Sequence, residues 1–184
     1  MAKPTKSAGR APADVKTRRA YFDCRFGQLH VRTAFPATGG FDEQVTLLCL
    51  HGTDSSSRAF NRLLAEVADK RSVYAPDLPG YGESDASTTR SAAEAAAAVC
   101  DLADDLRLRQ IDLFGVQYGA IVALELAAAR PLLVRRLVLA NVPVGEPTPP
   151  VEQRRLIVDA AQLSRDQAGA APLALAGQIS AFLT

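Results

Sequence analysis

The chain has 184 residues, with 21 Lys/Arg against 20 Asp/Glu and a formal net charge of +1. That length suits one domain around a single core, and that charge balance offers nothing for nucleic acid or an anionic membrane surface to hold. Cys24, Cys49 and Cys100 lack C-x-x-C spacing, so they read as reduced structural thiols in a cytoplasmic setting rather than disulfides or metal ligands. No apolar run approaches the length of a membrane span, and the basic N-terminus lacks the apolar segment of a secretory signal. Neither a metal nor a cofactor is expected.

Residues 1–19 are rich in Lys, Arg, Pro and Ala without periodicity and are expected to form a disordered basic tail. Residues 20–34 alternate loosely about Gly27, the pattern of a β-hairpin. The continuous apolar run 45–50 (VTLLCL) predicts an interior parallel strand. His51, Gly52, Thr53 and Asp54 follow it, and Ser55 to Ser57 can cap a helix carrying Phe60, Leu63, Leu64 and Val67 on one face. A short strand over 71–75 leads into the Pro- and Gly-dense loop PDLPGYGESD (76–85). Ser91-x-x-Glu94 then reads as a capping box opening an Ala-rich helix.

The stretch 109–130 predicts a buried strand (111–114), a sharp turn GVQYG (115–119) and a helix that Pro131 stops. Residues 134–140 (VRRLVLA) predict another strand, ending at Asn141. GEPTPP (145–150) reads as a linker, and two amphipathic segments, 152–163 and 173–183, read as helices. Alternating strands and helices imply an α/β fold with a mostly parallel sheet and helices on both faces. In such sheets ligands sit at the carboxyl ends of the strands. His51, Asp77, the GVQYG turn and Asn141 all fall there, so a shared pocket is expected.

The order of these features over 21–143 resembles the α/β-hydrolase superfamily, and its lidded branch of epoxide hydrolases, haloalkane dehalogenases and esterases in particular. The motifs are a strand then HG, a strand then D-x-P-G-x-G-x-S (77–84), a strand then G-x-x-x-G (115–119), a helix ending in Arg-Pro, and RRLVLAN (135–141). The resemblance implies a core over 20–144, with a Pro-rich linker and partial lid-like helices over 145–184. It also implies a sheet that stops after its sixth strand, leaving Val134–Ala140 as an open edge for the terminal helices to fold back on or a second copy to cover. By the same resemblance the backbone N–H groups of Thr53 and Tyr118 are oxyanion donors. His51 and Gly52 belong to the oxyanion loop, and Gly115 and Gly119 let the strand turn into the helix.

At the nucleophile position stands Gln117, whose amide has no accessible anionic form and cannot take an acyl group. The only histidines are His30 and His51, both upstream of it. Asn141 stands where an early acid would. Ser84 and Ser55 to Ser57 are better read as turn and cap residues than as recruited nucleophiles, His51 as a loop-structuring side chain, and Asp77 and Asp85 as acceptors of loop N–H groups. The expectation is therefore a hydrolase-like protein without conventional catalysis, binding a small apolar or carbonyl ligand at the elbow. Two alternatives stand beside it. One is the N-terminal part of a hydrolase completed by further sequence or a partner. The other is a non-catalytic interaction subunit, dimerising through the 134–140 edge or the terminal helices.

Overall fold

The computed structural model of the chain describes residues 17–37, 44–88, 91–143 and 154–158. β1 (Arg18–Cys24) and β2 (Gly27–Ala34) form an antiparallel hairpin, turning at Gly27 with φ 109°. Its first strand begins at Arg18, two residues inside the expected tail; residues 1–16 lie outside the described part. The hairpin joins β4 (Val73–Pro76) in antiparallel fashion. From there the sheet is parallel through β3 (Thr46–Leu50), β5 (Ile111–Val116), β6 (Val134–Ala140) and β7 (Arg154–Val158), in the order β1-β2-β4-β3-β5-β6-β7.

Strand alternation divides the core between two layers. Leu48, Leu50, Leu113, Leu137 and Leu139 face α2 (Ala92–Asp105) and α3 (Tyr118–Ala129). Leu47, Cys49, Phe114, Val138 and Ala140 face the other way, onto Phe60, Leu64 and Val67. Those last three come from a 3-10 turn, Ser57–Phe60, and the short helix α1 (Asn61–Val67), where one continuous helix was expected. The α2 capping box forms as read: Ser91 Oγ accepts from Glu94 N at 3.2 Å, and Ser91 N donates to Glu94 Oε2 at 3.2 Å. α3 is buried on nearly every side, as its apolar sequence requires.

One expectation is overturned. Residues 154–158 form β7, parallel to β6 in the register Leu137–Arg155 to Ala140–Val158, where the sequence had suggested a helix over 152–163. The sheet therefore has seven strands rather than six. Val134–Ala140 is an interior strand, paired with β5 on one side and β7 on the other, so it is not the open edge the sequence suggested. The physical reason is twofold. A short RRLIV segment fits helical and strand patterns equally well by periodicity, and the unpaired N–H and C=O groups along β6 favour whichever extended segment can reach them. The 145–150 linker and the 173–183 segment lie outside the described residues.

At the amino ends of the parallel strands, Asp112 is wholly buried and accepts from Arg71 Nη1 at 3.2 Å and from Arg135 Nε and Nη2 at 2.9 and 2.7 Å. Arg71 also bonds Gln44 Oε1 through Nε at 2.9 Å and through Nη2. This cluster ties β3, β4, β5 and β6 together at the end opposite the elbow. Removing one partner of a buried ion cluster leaves charge without compensation. Asp112→Ala is expected to destabilise the fold by about 3–5 kcal/mol in urea denaturation, with the unfolding midpoint lowered accordingly.

Candidate active site

The elbow is built by close approach. A Cβ on Gly115 would overlap Gly119 O, and one on Gly119 would overlap Leu50 O. Both positions must therefore be glycine for β5 to turn into α3 directly beside β3. The turn places Gln117 at φ 51° and ψ −118°, a conformation L residues rarely adopt. The surrounding structure holds it there: Gln117 N donates to Ala140 O at 2.9 Å, and Ala120 N donates to Gln117 O at 2.9 Å. Strain of this kind costs on the order of 1–3 kcal/mol and persists only where neighbours over-determine it.

The Gln117 side chain is exposed and folds over Gly52, where a Cβ would overlap its Oε1. The carboxamide therefore covers the backbone between His51 and Thr53. The described residues supply no acceptor for the N–H of Thr53 or of Tyr118, the two positions expected to form an oxyanion hole.

His51 does not act as a base in this geometry. Its Nδ1–H donates to Gly52 O at 2.8 Å, and its Nε2 accepts from Leu78 N at 2.9 Å. Both ring nitrogens are thus committed to backbone. Burial pushes the imidazole below the usual histidine range, partly opposed by the Gly52 carbonyl and by Asp77. Tyr81 lies edge-on to its ring at 5.4 Å and 6.5 Å from the Tyr118 ring, which gives the site an aromatic wall.

Asp77, at the end of β4, organises the loops around this site. Its Oδ1 accepts from Ser57 N at 2.6 Å. Its Oδ2 accepts from Glu83 N at 2.8 Å and from His30 Nδ1 at 2.9 Å. Burial alone would raise its pKa, but the N–H groups of Glu83 and Ser57 together with His30 outweigh that and hold the carboxyl below the ordinary range.

Ser84 is equally committed: its Oγ donates to Asp77 O at 2.7 Å and accepts from His30 N at 2.9 Å. Asp85 Oδ2 accepts from Gln28 N at 2.8 Å. Ser56 caps the 3-10 turn. Asn141 closes β6 at φ 52°, and its Oδ1 is buried without a partner.

Sequence reasoning located His51, Asp77, Gln117 and Asn141 correctly at adjacent strand ends. It missed His30, which β2 brings onto Asp77 from 47 positions away. The only signal was hairpin register, which a single sequence does not show. The described residues hold no cluster of three or more His, Cys, Asp or Glu able to bind a metal. No described helix is long and apolar enough to cross a membrane. Cys49 and Cys100 are buried and unpaired, and burial raises both thiols.

A family model described as the alpha/beta hydrolase family matches residues 47–183. The chain belongs to this family. It is 32% identical over 96 residues to the uncharacterized hydrolase YugF of Bacillus subtilis, covering 51% of this chain and 35% of that one. It is 37% identical over 101 residues to the 2-hydroxymuconate semialdehyde hydrolase of Pseudomonas sp. (strain CF600), covering 50% and 35%. The solved N-acyl homoserine lactonase AidH, complexed with N-hexanoyl homoserine lactone, superposes with a TM-score of 0.61 at 27% identity, over 68% of this chain and 46% of that one. The chain thus spans about a third of the length of these curated relatives.

The site adds to the pH dependence of stability through His51 and Asp77, both lowered on folding. A histidine lowered on folding takes up its proton first in the unfolded chain, so stability is full above the ordinary histidine value of 6.5 and declines as pH falls below it. A carboxylate lowered on folding adds a second decline, which begins as pH drops through the ordinary aspartate value of 3.8. Urea denaturation across pH 3 to 8 is expected to show both arms, and Asp77→Asn to weaken the lower one, to which the lowered carboxylates of Glu83, Asp101 and Asp104 also contribute.

Proposed function

We propose that this chain carries the backbone half of an α/β-hydrolase site without its nucleophile, and that it binds a small apolar, carbonyl-bearing ligand without hydrolysing it. The observation that carries this reading is Gln117 at the tip of a fully formed elbow. A primary amide neither attacks carbon nor accepts an acyl group. His51 cannot substitute as base, since both ring nitrogens are committed to backbone.

The features suited to binding are the Thr53 and Tyr118 N–H groups and the Gln117 carboxamide. Backbone donors aimed at a carbonyl oxygen contribute about 3 kcal/mol each to a developing oxyanion, and less to a neutral ground state. For such a ligand to enter, the Gln117 side chain must swing off Gly52 and turn its amide toward the guest. The lactone held by AidH is a reasonable first probe of this class. The unpaired cysteines support a reducing compartment such as the cytoplasm.

A second reading is favoured by the one-third coverage of the curated relatives. The chain would then correspond to the N-terminal part of a longer hydrolase whose acid and base lie in further sequence. Gln117 would still leave that enzyme without a conventional nucleophile.

Thermal-shift titration with N-hexanoyl homoserine lactone is expected to raise Tm, and Gln117→Leu to abolish most of the rise. No shift, or one unchanged in Gln117→Leu, would sink the binding reading. Hydrolysis of p-nitrophenyl esters should stay at the buffer rate, and Gln117→Ser alone should not create an efficient esterase, because no base is aligned with it. Turnover that Ser84→Ala removes would show that catalysis has moved elsewhere.

A further inference from the structure

The densest chemistry outside the elbow lies where β1, β2 and the 3-10 turn meet the loop after β4. Arg19, Arg32 and Arg58, one from each of those elements, converge on Glu83 with nitrogen–oxygen distances of 3.7, 4.0 and 2.7 Å. Only the Arg58 contact is a hydrogen bond. Arg32 uses Nη1 on Asn61 Oδ1 at 3.3 Å. Three guanidinium groups therefore share one carboxylate. The other carboxylate nearby, Asp77, is already occupied by His30, Ser57 and Glu83.

Two buried nitrogens beside this cluster have no hydrogen-bond partner among the described residues: Arg32 Nε and His30 Nε2. The His30 side chain is 1% exposed, with the Tyr21 ring 5.3 Å from its own. Its Nε2 faces Glu83 Oε2 at 3.8 Å, too far for a hydrogen bond. Arg32 Nε–H is a donor lacking an acceptor. Buried polar groups in native proteins are nearly always satisfied, so two orphans at one place indicate a missing partner.

A partner for this place must accept from several guanidiniums. Water can accept but brings no charge. A phosphate does both, since its oxygens match the fork of arginine N–H groups and carry the charge that Glu83 carries now. We propose that Arg19, Arg32, Arg58 and His30 form a binding site for a compact oxyanion of the phosphate class, with the Glu83 carboxylate holding the place when none is bound. Glu83 leaves by side-chain rotation alone, because its backbone N–H stays fixed on Asp77. Arg19 and Arg58 are largely exposed and leave the approach open.

The test is titration of the whole chain with inorganic phosphate, read as thermal shift against chloride at equal ionic strength. A saturable rise specific to phosphate is expected. Arg58→Gln should weaken the apparent Kd at least tenfold, and Glu83→Gln, which removes the internal competitor, should tighten it at least threefold. Arg62→Gln, on an exposed arginine paired with Glu66, should leave it unchanged. A rise that chloride reproduces would overturn the proposal, and so would a Glu83→Gln variant that binds phosphate no better than the parent. Arg58 is exposed, so folding of its variant is not in question even where Arg32→Gln fails to fold.

Discussion

The Asp77 carboxylate gathers three otherwise independent pieces of chain: the 3-10 turn after β3 through Ser57 N, the loop after β4 through Glu83 N, and the hairpin through His30. Each of these bonds is short, and the carboxylate is buried. A buried charge is tolerated only when several donors converge on it. The arrangement therefore works in both directions. The loops exist in their observed form because they satisfy Asp77, and Asp77 remains ionised because the loops surround it. The loops after β3 and β4 take their positions from this point. Ser57 leads back to Gly52 and Thr53, Leu78 fixes His51, and Glu83 draws in the arginines.

The elbow depends on a different constraint, the mutual approach of Gly115, Gly119 and Leu50. None of that packing involves the side chain at 117. Backbone geometry and chemical identity are therefore separable at this site. The turn can persist with φ 51° at its tip whether the residue there is reactive or inert. Gln117 makes the separation visible, since the structure keeps a strained backbone beneath a carboxamide side chain. That amide lies across Gly52.

At the other end of the sheet, Asp112 with Arg71 and Arg135 plays the part that Asp77 plays above it. Two buried carboxylates, one near each end of the parallel strands, hold loops and strands that the apolar layers alone would leave unregistered. Non-directional burial sets which residues are inside, whereas these hydrogen-bonded charges set which strand lies against which.

By itself the sequence determined the strands from VTLLCL to VRRLVLA, the capping box at Ser91, the glycine-flanked elbow and the absence of a nucleophile at its tip. These are local properties, written in periodicity, in glycine spacing and in the identity of one side chain. The tertiary structure alone decided the rest. It placed His30 on Asp77, assembled Arg19, Arg32 and Arg58 around Glu83, and made residues 154–158 a strand beside β6 rather than a helix. Those outcomes depend on contacts between residues far apart in the chain. A short segment's choice between helix and strand is settled by which unpaired backbone it meets, and no local pattern records that encounter.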